Sequence, residues 1–322
     1  MTDEWQQDVL GPDYRALTLP LADDDEGAVV ATLVRHAPAT PEPLRPSRAV
    51  LYLHGWSDYF FQTELAEFWT GQGVAFYALD LRKYGRSLRE HQTPGYTEDL
   101  SVYDEEIDLA LTQIRVELGD PSRVMLMGHS TGGLTAALWV NRNPGRVHGL
   151  VLNSPWLELQ GSSVVRQISS PAVARLAKLQ PKAPLPNIDA GFYARTVRKA
   201  DGGEWTYNDA WRPTPSFPVR AGWLAAVLAG HSRVARGLNI TVPVLMLASA
   251  RSLLSPWWTE DMRAADVVLD VEPLVRRALH LGPVLTVVRV DGGLHDLTLS
   301  PLPVRTRLYA EIARWSAAYG WE

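Results

Sequence analysis

One serine stands among glycines where an apolar strand gives way to an apolar helix: Gly128-His129-Ser130-Thr131-Gly132-Gly133. Upstream, Arg123-Val124-Met125-Leu126-Met127 reads as a fully buried strand. Downstream, Leu134, Ala137, Leu138 and Trp139 fall on one helical stripe. The chain must pass from strand to helix through one tight turn, which forces the serine toward positive φ and leaves its Oγ standing clear of the sheet. Bulk at 128 or 132 would clash as the helix packs back on the strand, so both positions call for glycine. Thr131 opens the helix and offers its backbone N–H where the helix dipole is positive, which suits a developing oxyanion. This context is the sequence form of a nucleophile elbow.

Other apolar runs read as strands at Tyr14 to Leu19, Ala28 to Val34, Ala49 to Leu53, Val74 to Leu79, Gly149 to Leu152, Val244 to Leu247 and Val284 to Val290. Between the later ones lie helical periods, such as Ile107, Ala110, Leu111, Ile114 and Leu118, and a closing helix carries Val304, Leu308, Ile312, Trp315 and Tyr319. Alternation of this kind implies an α/β fold with a mostly parallel, eight-stranded sheet covered on both faces, and the two opening strands imply an antiparallel start. From about Pro155 to Asn239 the alternation stops and Pro, Gly and Trp accumulate. The expected organisation is a core of residues 1–154 and 240–322, with residues 155–239 inserted as a cap, or lid, over the carboxyl ends of the strands. Trp156, Trp205, Trp211 and Trp223 give that insertion large apolar surfaces. They either line a substrate site or simply pack the insertion onto the core.

Composition narrows the function classes. A net charge of −5 with scattered Arg and Lys leaves no basic footprint for nucleic acid. The absence of cysteine removes disulfides, thiolate chemistry and cysteine-ligated metals. No His and carboxylate cluster has ligand spacing, so no metal and no cofactor is expected. The start, Met1 to Asp8, is polar and acidic and lacks the pattern of a secretory signal, so a cytoplasmic location is expected. The most apolar stretch, Ala221 to Ala229, falls far short of the roughly 20 residues a spanning helix needs, so no stable membrane insertion is expected. Nothing in the sequence sets the oligomeric state.

A second stretch supports the elbow. Leu51-Tyr52-Leu53-His54-Gly55-Trp56 is a buried strand running into a glycine-containing loop, where the backbone N–H of Trp56 can pair with that of Thr131 to hold an oxyanion. His54 itself reads as a residue that holds the loop. Of the eight histidines, His295 alone follows the last apolar strand, in Asp291-Gly292-Gly293-Leu294-His295-Asp296, where the glycines let the loop turn back toward Ser130. His129 should point away from its serine neighbour. The acid that would orient His295 is less determined. Asp266 ends a loop, with Val268 two residues on to bury against the sheet; Asp270 looks like a helix N-cap; Glu158 follows the sixth strand.

Together these residues resemble the α/β-hydrolase superfamily, and within it the monoglyceride-lipase and lysophospholipase-like serine hydrolases that are also described as serine aminopeptidase-like. His54-Gly55-Trp56 is similar to the family's oxyanion loop, the hexapeptide at 128–133 to its elbow, Asp266-Val267-Val268 to its acid motif and Gly293-Leu294-His295 to its histidine loop. Asp80-Leu81-Arg82-Lys83-Tyr84-Gly85-Arg86-Ser87 is similar to the loop after the fourth strand, with Lys83 where glycine is usual. An extra stretch carrying Trp257 and Trp258 separates the seventh strand from Asp266. The resemblance implies a serine hydrolase for a small carboxylic ester with an apolar acyl group, acting through Ser130, His295 and Asp266. Two alternatives stand beside it. One is an aminopeptidase or amidase, for which Asp189, Asp201, Glu204 or Asp209 would anchor a substrate ammonium; the other is a non-catalytic binding protein that keeps the fold.

Overall fold

The central strands are apolar at every position because both faces of the sheet are covered. In β4 (Arg48–Leu53), Ala49, Leu51 and Leu53 belong to one buried cluster and Val50 and Tyr52 to a second; in β6 (Arg123–His129), Val124 and Leu126 divide from Met125 and Met127 in the same way. Period-two alternation between two dry faces is what a parallel sheet under two helical layers requires. The computed structural model describes residues 4–38, 47–119, 123–159, 172–186 and 189–321. The eight expected strands are present. A ninth, the three-residue β1 (Gln6–Asp8), pairs antiparallel with β2 (Gly11–Pro20) at the sheet edge.

The strand order is β1-β2-β3-β5-β4-β6-β7-β8-β9. Pairs involving β1, β2 and β3 (Val30–His36) are antiparallel; β5 (Ala75–Asp80), β4, β6, β7 (Gly149–Asn153), β8 (Val244–Ser249) and β9 (Leu285–Val290) run parallel. The order reverses at β4, which lies between β5 and β6, and such a switch opens a crevice at the strand carboxyl ends. Leu53 at the end of β4 is in register with Gly128 of β6, so the loops that follow the two strands emerge side by side.

Helices α2 (Tyr103–Leu118), α3 (Thr131–Arg142), α5 (Ala221–Ala235) and α6 (Val271–Ala278) contribute to the larger cluster on one face; α1 (Thr63–Gly71) and α7 (Leu302–Ala318) contribute to the cluster on the other. Among the described residues no helix is long and apolar enough to cross a membrane. Residues 155–239 lie between β7 and β8 and carry α4 (Phe192–Val197) and α5; residues 160–171 and 187–188 of this stretch lie outside the described residues, as do residues 1–3 of the start.

The loop after β5 is built around charge. Asp80 accepts from Phe60 N–H and Arg86 N–H at 2.9 and 3.0 Å, and the Arg86 guanidinium spans Asp80 at 2.8 Å and Asp8 at 2.6 Å. That pairing fastens β1. Lys83 sits at φ +63 with its ammonium buried between Asp24 and Glu26, so the position that usually takes glycine here holds a side chain in the left-handed region. Asp8 and Asp80 are both buried, so removing Arg86 would strand two carboxylates. Arg86→Met should therefore lower stability by about 3 to 5 kcal/mol, read from urea midpoints at pH 7; a change within about 0.5 kcal/mol would show that water reaches the site.

Candidate active site

Four loops at the carboxyl ends of β4, β6, β8 and β9 converge on Ser130. The serine occupies the sharp bend between β6 and α3 with φ +51 and ψ −116, a conformation that costs an L-residue of order 1 to 3 kcal/mol and needs the surroundings to impose it. Glycines make the bend possible. A Cβ on Gly128 would lie 2.5 Å from the Gly132 carbonyl oxygen, and one on Gly132 would lie 2.2 Å from that of His54. Gly55 is constrained from the other side, since its Cβ would approach the Ser130 Cβ at 3.2 Å.

His295 follows β9 on a loop that Gly292, at φ +72, turns back over the sheet. Its Nε2 is 3.1 Å from Ser130 Oγ and its Nδ1 is 3.0 Å from Asp266 Oδ2. A carboxylate only accepts, so Nδ1 carries the proton and Nε2 is left as the acceptor for the serine hydroxyl. The other oxygen of Asp266 accepts from Val268 N–H and Leu269 N–H, both at 2.8 Å, which fixes the carboxylate's orientation. All three side chains are buried. A hydroxyl, an imidazole and a carboxylate linked in this order can generate an alkoxide-like nucleophile and hold the proton it releases.

The structure separates the three acid candidates. Asp266 meets His295; Asp270 caps α6 by accepting from Glu272 N–H; Glu158 pairs with Arg277 at 3.0 Å. The stretch carrying Trp257 and Trp258 leaves and rejoins the core at one point: Leu253 N–H donates to Asp266 O at 2.8 Å, Asp266 N–H to Arg251 O at 3.0 Å, and Ser252 bridges Asp266 in parallel. Asp266 therefore stands in space directly after β8, as though the excursion were absent.

The backbone N–H groups of Trp56 and Thr131 have no acceptor among the described residues, and both flank the Ser130 bend. His54 fixes the loop between them: its Nδ1–H donates to Gly55 O at 2.8 Å and its Nε2 accepts Leu81 N–H at 3.1 Å. His129 turns its Nδ1 to Asn153 O at 3.1 Å, but its ring stays 4.8 Å from that of His295. The four tryptophans divide. Trp223 packs on Trp56 with its ring tilted and the centroids 3.8 Å apart, lies 6.1 Å from Trp156, and lines a narrow cavity with Gly55, Thr131, Gly132, Tyr84 and Tyr103. Trp205 donates its Nε1–H to Leu299 O at 3.0 Å and Trp211 meets Tyr59 edge-on at 5.1 Å, so these two join the insertion to the core.

Sequence reasoning passed over six buried polar residues beside the site: Asp296, Asn153, Gln62, Thr298, Asp58 and Arg212. Asp296 accepts from Asn153 Nδ2 at 2.7 Å, Gln62 Nε2 at 3.1 Å and Thr298 N–H at 2.9 Å, and Asn153 O in turn accepts Ser130 N–H at 3.1 Å, so the histidine loop is bolted to the elbow. Asp58 pairs with Arg212 at 3.0 Å. Among the described residues Asp58, His129 and Asp296 form a trio whose ligand atoms lie within 4.8 Å of one another. It suits a cation poorly, because a guanidinium already lies against Asp58 and N–H donors already fill Asp296.

These features define an α/β-hydrolase fold with a serine at its elbow. A family model described as "Serine aminopeptidase, S33" matches residues 45–256, and the chain belongs to that family. Curated relatives include a monoacylglycerol lipase of Mycolicibacterium smegmatis, 27% identical with 71% of this chain and 80% of that protein covered, and the monoglyceride lipase of Homo sapiens, 25% identical with 84% and 82% covered. A phospholipase of Bacillus subtilis is 34% identical, but the match spans 36% of this chain and 43% of that protein. Among solved structures, the monoacylglycerol lipase of Paleococcus ferrophilus superposes with a TM-score of 0.63 at 20% identity, covering 84% of this chain and 94% of that one. A soluble variant of the monoglyceride lipase of Saccharomyces cerevisiae gives 0.65 at 13% identity, covering 94% and 95%. At these identities the solved structures speak for the fold.

Burial pushes the Asp58 carboxyl up to about 7, with Arg212 opposing the shift and Asp296 and Asp80 adding to it. An acid whose folded pKa is raised binds more protons folded than unfolded between its ordinary value near 3.8 and about 7. This group therefore makes stability fall as pH rises across that window. Measured urea midpoints should carry that component in the wild type and lose it in Asp58→Asn; equal pH slopes in the two proteins would place the titration elsewhere.

Proposed function

We propose that this protein is a serine hydrolase that cleaves small carboxylic esters with an apolar acyl group. The observation that carries the reading is the buried Ser130–His295–Asp266 hydrogen-bond chain, at 3.1 and 3.0 Å, beside two unengaged backbone N–H groups. Ser130 Oγ attacks the ester carbonyl carbon as its proton passes to His295 Nε2. The carbonyl oxygen takes the negative charge and is held by the N–H groups of Trp56 and Thr131, each such donor being worth roughly 3 to 4 kcal/mol in the transition state. His295 then gives the proton to the departing alkoxide oxygen, leaving an ester of Ser130. Water repeats the attack with His295 as base, freeing the carboxylic acid and restoring the serine. Asp266 holds the imidazole tautomer and stabilises its cation throughout. No step calls for a metal or a cofactor.

The relatives named as monoacylglycerol lipases support an apolar acyl group, and so does the cluster of Trp56, Trp156 and Trp223, of which Trp223 lines the cavity beside Thr131. Residues 155–239 then serve as the cap over the acyl site, and a cytoplasmic location accords with this reading. The aminopeptidase alternative needs a free carboxylate near Ser130. Asp189 accepts from Gly191 N–H and Ser216 N–H, Glu204 pairs with Arg305 and Asp209 with Arg198, which leaves Asp201 alone of those proposed with no described partner for its carboxylate. Ester cleavage is the better supported reaction.

A fluorophosphonate probe should label Ser130, and its failure to do so would favour a binding protein over an enzyme. Ser130→Ala and His295→Ala should each lower kcat on p-nitrophenyl butyrate about a million-fold, with little further loss in the double variant, because the two act as a unit. Turnover near wild type in Ser130→Ala would end the reading.

The two aspartates give a separate test. Asp266→Asn keeps the volume but favours the wrong imidazole tautomer, a change that costs about ten-thousand-fold in a site of this kind. Asp270→Asn should keep most activity, since asparagine caps a helix about as well as aspartate. Comparing kcat of the two variants decides the assignment, and an inactive Asp270→Asn would overturn it.

A further inference from the structure

Arg212 is a fully desolvated cation that the reaction above does not use. It comes from the insertion between β7 and β8, is 4% exposed, and places Nε 3.0 Å from Asp58 Oδ1. Its guanidinium also lies over the rings of Tyr207 at 4.5 Å and Tyr193 at 4.9 Å. Burying two charges is costly, and a packed apolar pair would secure the insertion as well or better, so stability alone is a weak reason for this arrangement. Held between the Asp58 carboxylate and the rings of Tyr193 and Tyr207, the planar guanidinium ties the two segments together in one register.

The register concerns the candidate oxyanion loop. Asp58 stands two residues after Trp56, and its neighbours hold the same stretch of the insertion: Ser57 Oγ accepts Phe217 N–H at 3.0 Å and Tyr59 hydroxyl accepts Asn208 N–H at 2.8 Å. Three consecutive residues after the donor thus each grip residues 208–217. Ser57 does so at φ +51, outside the ordinary range for serine. On the other side of Arg212, the Tyr193 ring meets the His295 ring edge-on at 5.2 Å. One guanidinium therefore bridges the loop that carries the Trp56 N–H and the ring that packs on the base.

We propose that Asp58 and Arg212 are positioning residues that make correct seating of the insertion a condition for the Trp56 N–H and His295 to stand in register with Ser130. The proposal rests on the serine-hydrolase reading. In the seated state the loop and the base are both held. When the pair is lost, Ser57–Tyr59 keeps two of its three ties and the donor drifts from the place where the oxyanion forms. The loss falls on kcat rather than on KM, because the donor matters most in the transition state.

The test compares wild type, Arg212→Met and the double variant Asp58→Asn/Arg212→Met at pH 8, using urea midpoints and steady-state kinetics on p-nitrophenyl butyrate. Arg212→Met should lose both stability and kcat, since it strands a buried carboxylate. The double variant removes both charges, so it should regain the wild-type midpoint yet stay about ten- to a hundredfold low in kcat, with KM within about threefold. A double variant that regains kcat along with its midpoint would show that the pair only packs the insertion, and would overturn the proposal. If the double variant does not fold, Tyr59→Phe decides: it removes only the acceptor for Asn208 N–H and should lower kcat several-fold at an unchanged midpoint, whereas wild-type kcat counts against the proposal. Labelling of wild-type Ser130 by the fluorophosphonate is the control. Its absence removes the hydrolase reading itself, while labelled wild type with a fully active double variant removes the positioning role alone.

Discussion

Helix α3 and the end of strand β4 approach so closely that a methyl group at Gly132 would stand 2.2 Å from the His54 carbonyl oxygen and 2.6 Å from that of Leu53. Most of the site depends on this contact. It lets β4 and β6 end side by side, brings Gly55 up to Ser130, and holds the serine in a backbone conformation it would leave if free. Strain of this kind persists only where the surroundings over-determine it. Here Ser130 N–H is held by Asn153 O, and Ser130 O is held by the N–H groups of Leu134 and Trp156. The Ser130 hydroxyl is thus mounted on backbone held at both its N–H and its carbonyl rather than on a loop free to choose its own shape.

The parts legible in the sequence are those in which local pattern and tertiary structure coincide. Gly128 announces a bend because the clash it avoids, with Gly132 and Gly133, involves residues only a few positions apart, and the apolar run of β6 is visible because both of its faces are dry; the approach of Gly132 to Leu53 and His54 spans the chain and is seen only in the structure. His295 could be chosen among eight histidines because the order of elements places it after the last strand. Strand β1 left no such trace. It has three residues, two of them exposed, and the buried one is Asp8, whose partner Arg86 lies 78 positions away. No periodicity can report an edge strand held by an ion pair.

The carboxylate that meets His295 shows the same limit from another side. By sequence Asp266 and Asp270 compete, since each opens a plausible loop end. What separates them is a two-bond closure between Arg251–Leu253 and Asp266 that folds the extra stretch out of the way, and neither bond has a signature in the residues between. Trp258 helps to hold that stretch, with Arg195 at 4.1 Å from its ring and Phe192 at 5.9 Å, both from α4. Lys83 is an opposite case, a departure that was visible but whose cause was not. The ammonium finds Asp24 and Glu26 from the turn between β2 and β3, and that pairing offsets the cost of a side chain at positive φ.

Charge does more of the joining in this protein than its modest net balance suggests. The insertion meets the core through Arg212 on Asp58, Lys182 on Asp25 and Glu26, and Glu204 on Arg305, and these contacts reach three different parts of the core: the loop after β4, the turn between β2 and β3, and helix α7. Lys182 and Glu204 are partly solvated, where such pairs contribute little and are screened by salt. Arg212 is the exception, because neither member of its pair can be rehydrated without lifting the segment it belongs to. That pair shares a loop with the Trp56 N–H, on which the proposed chemistry draws.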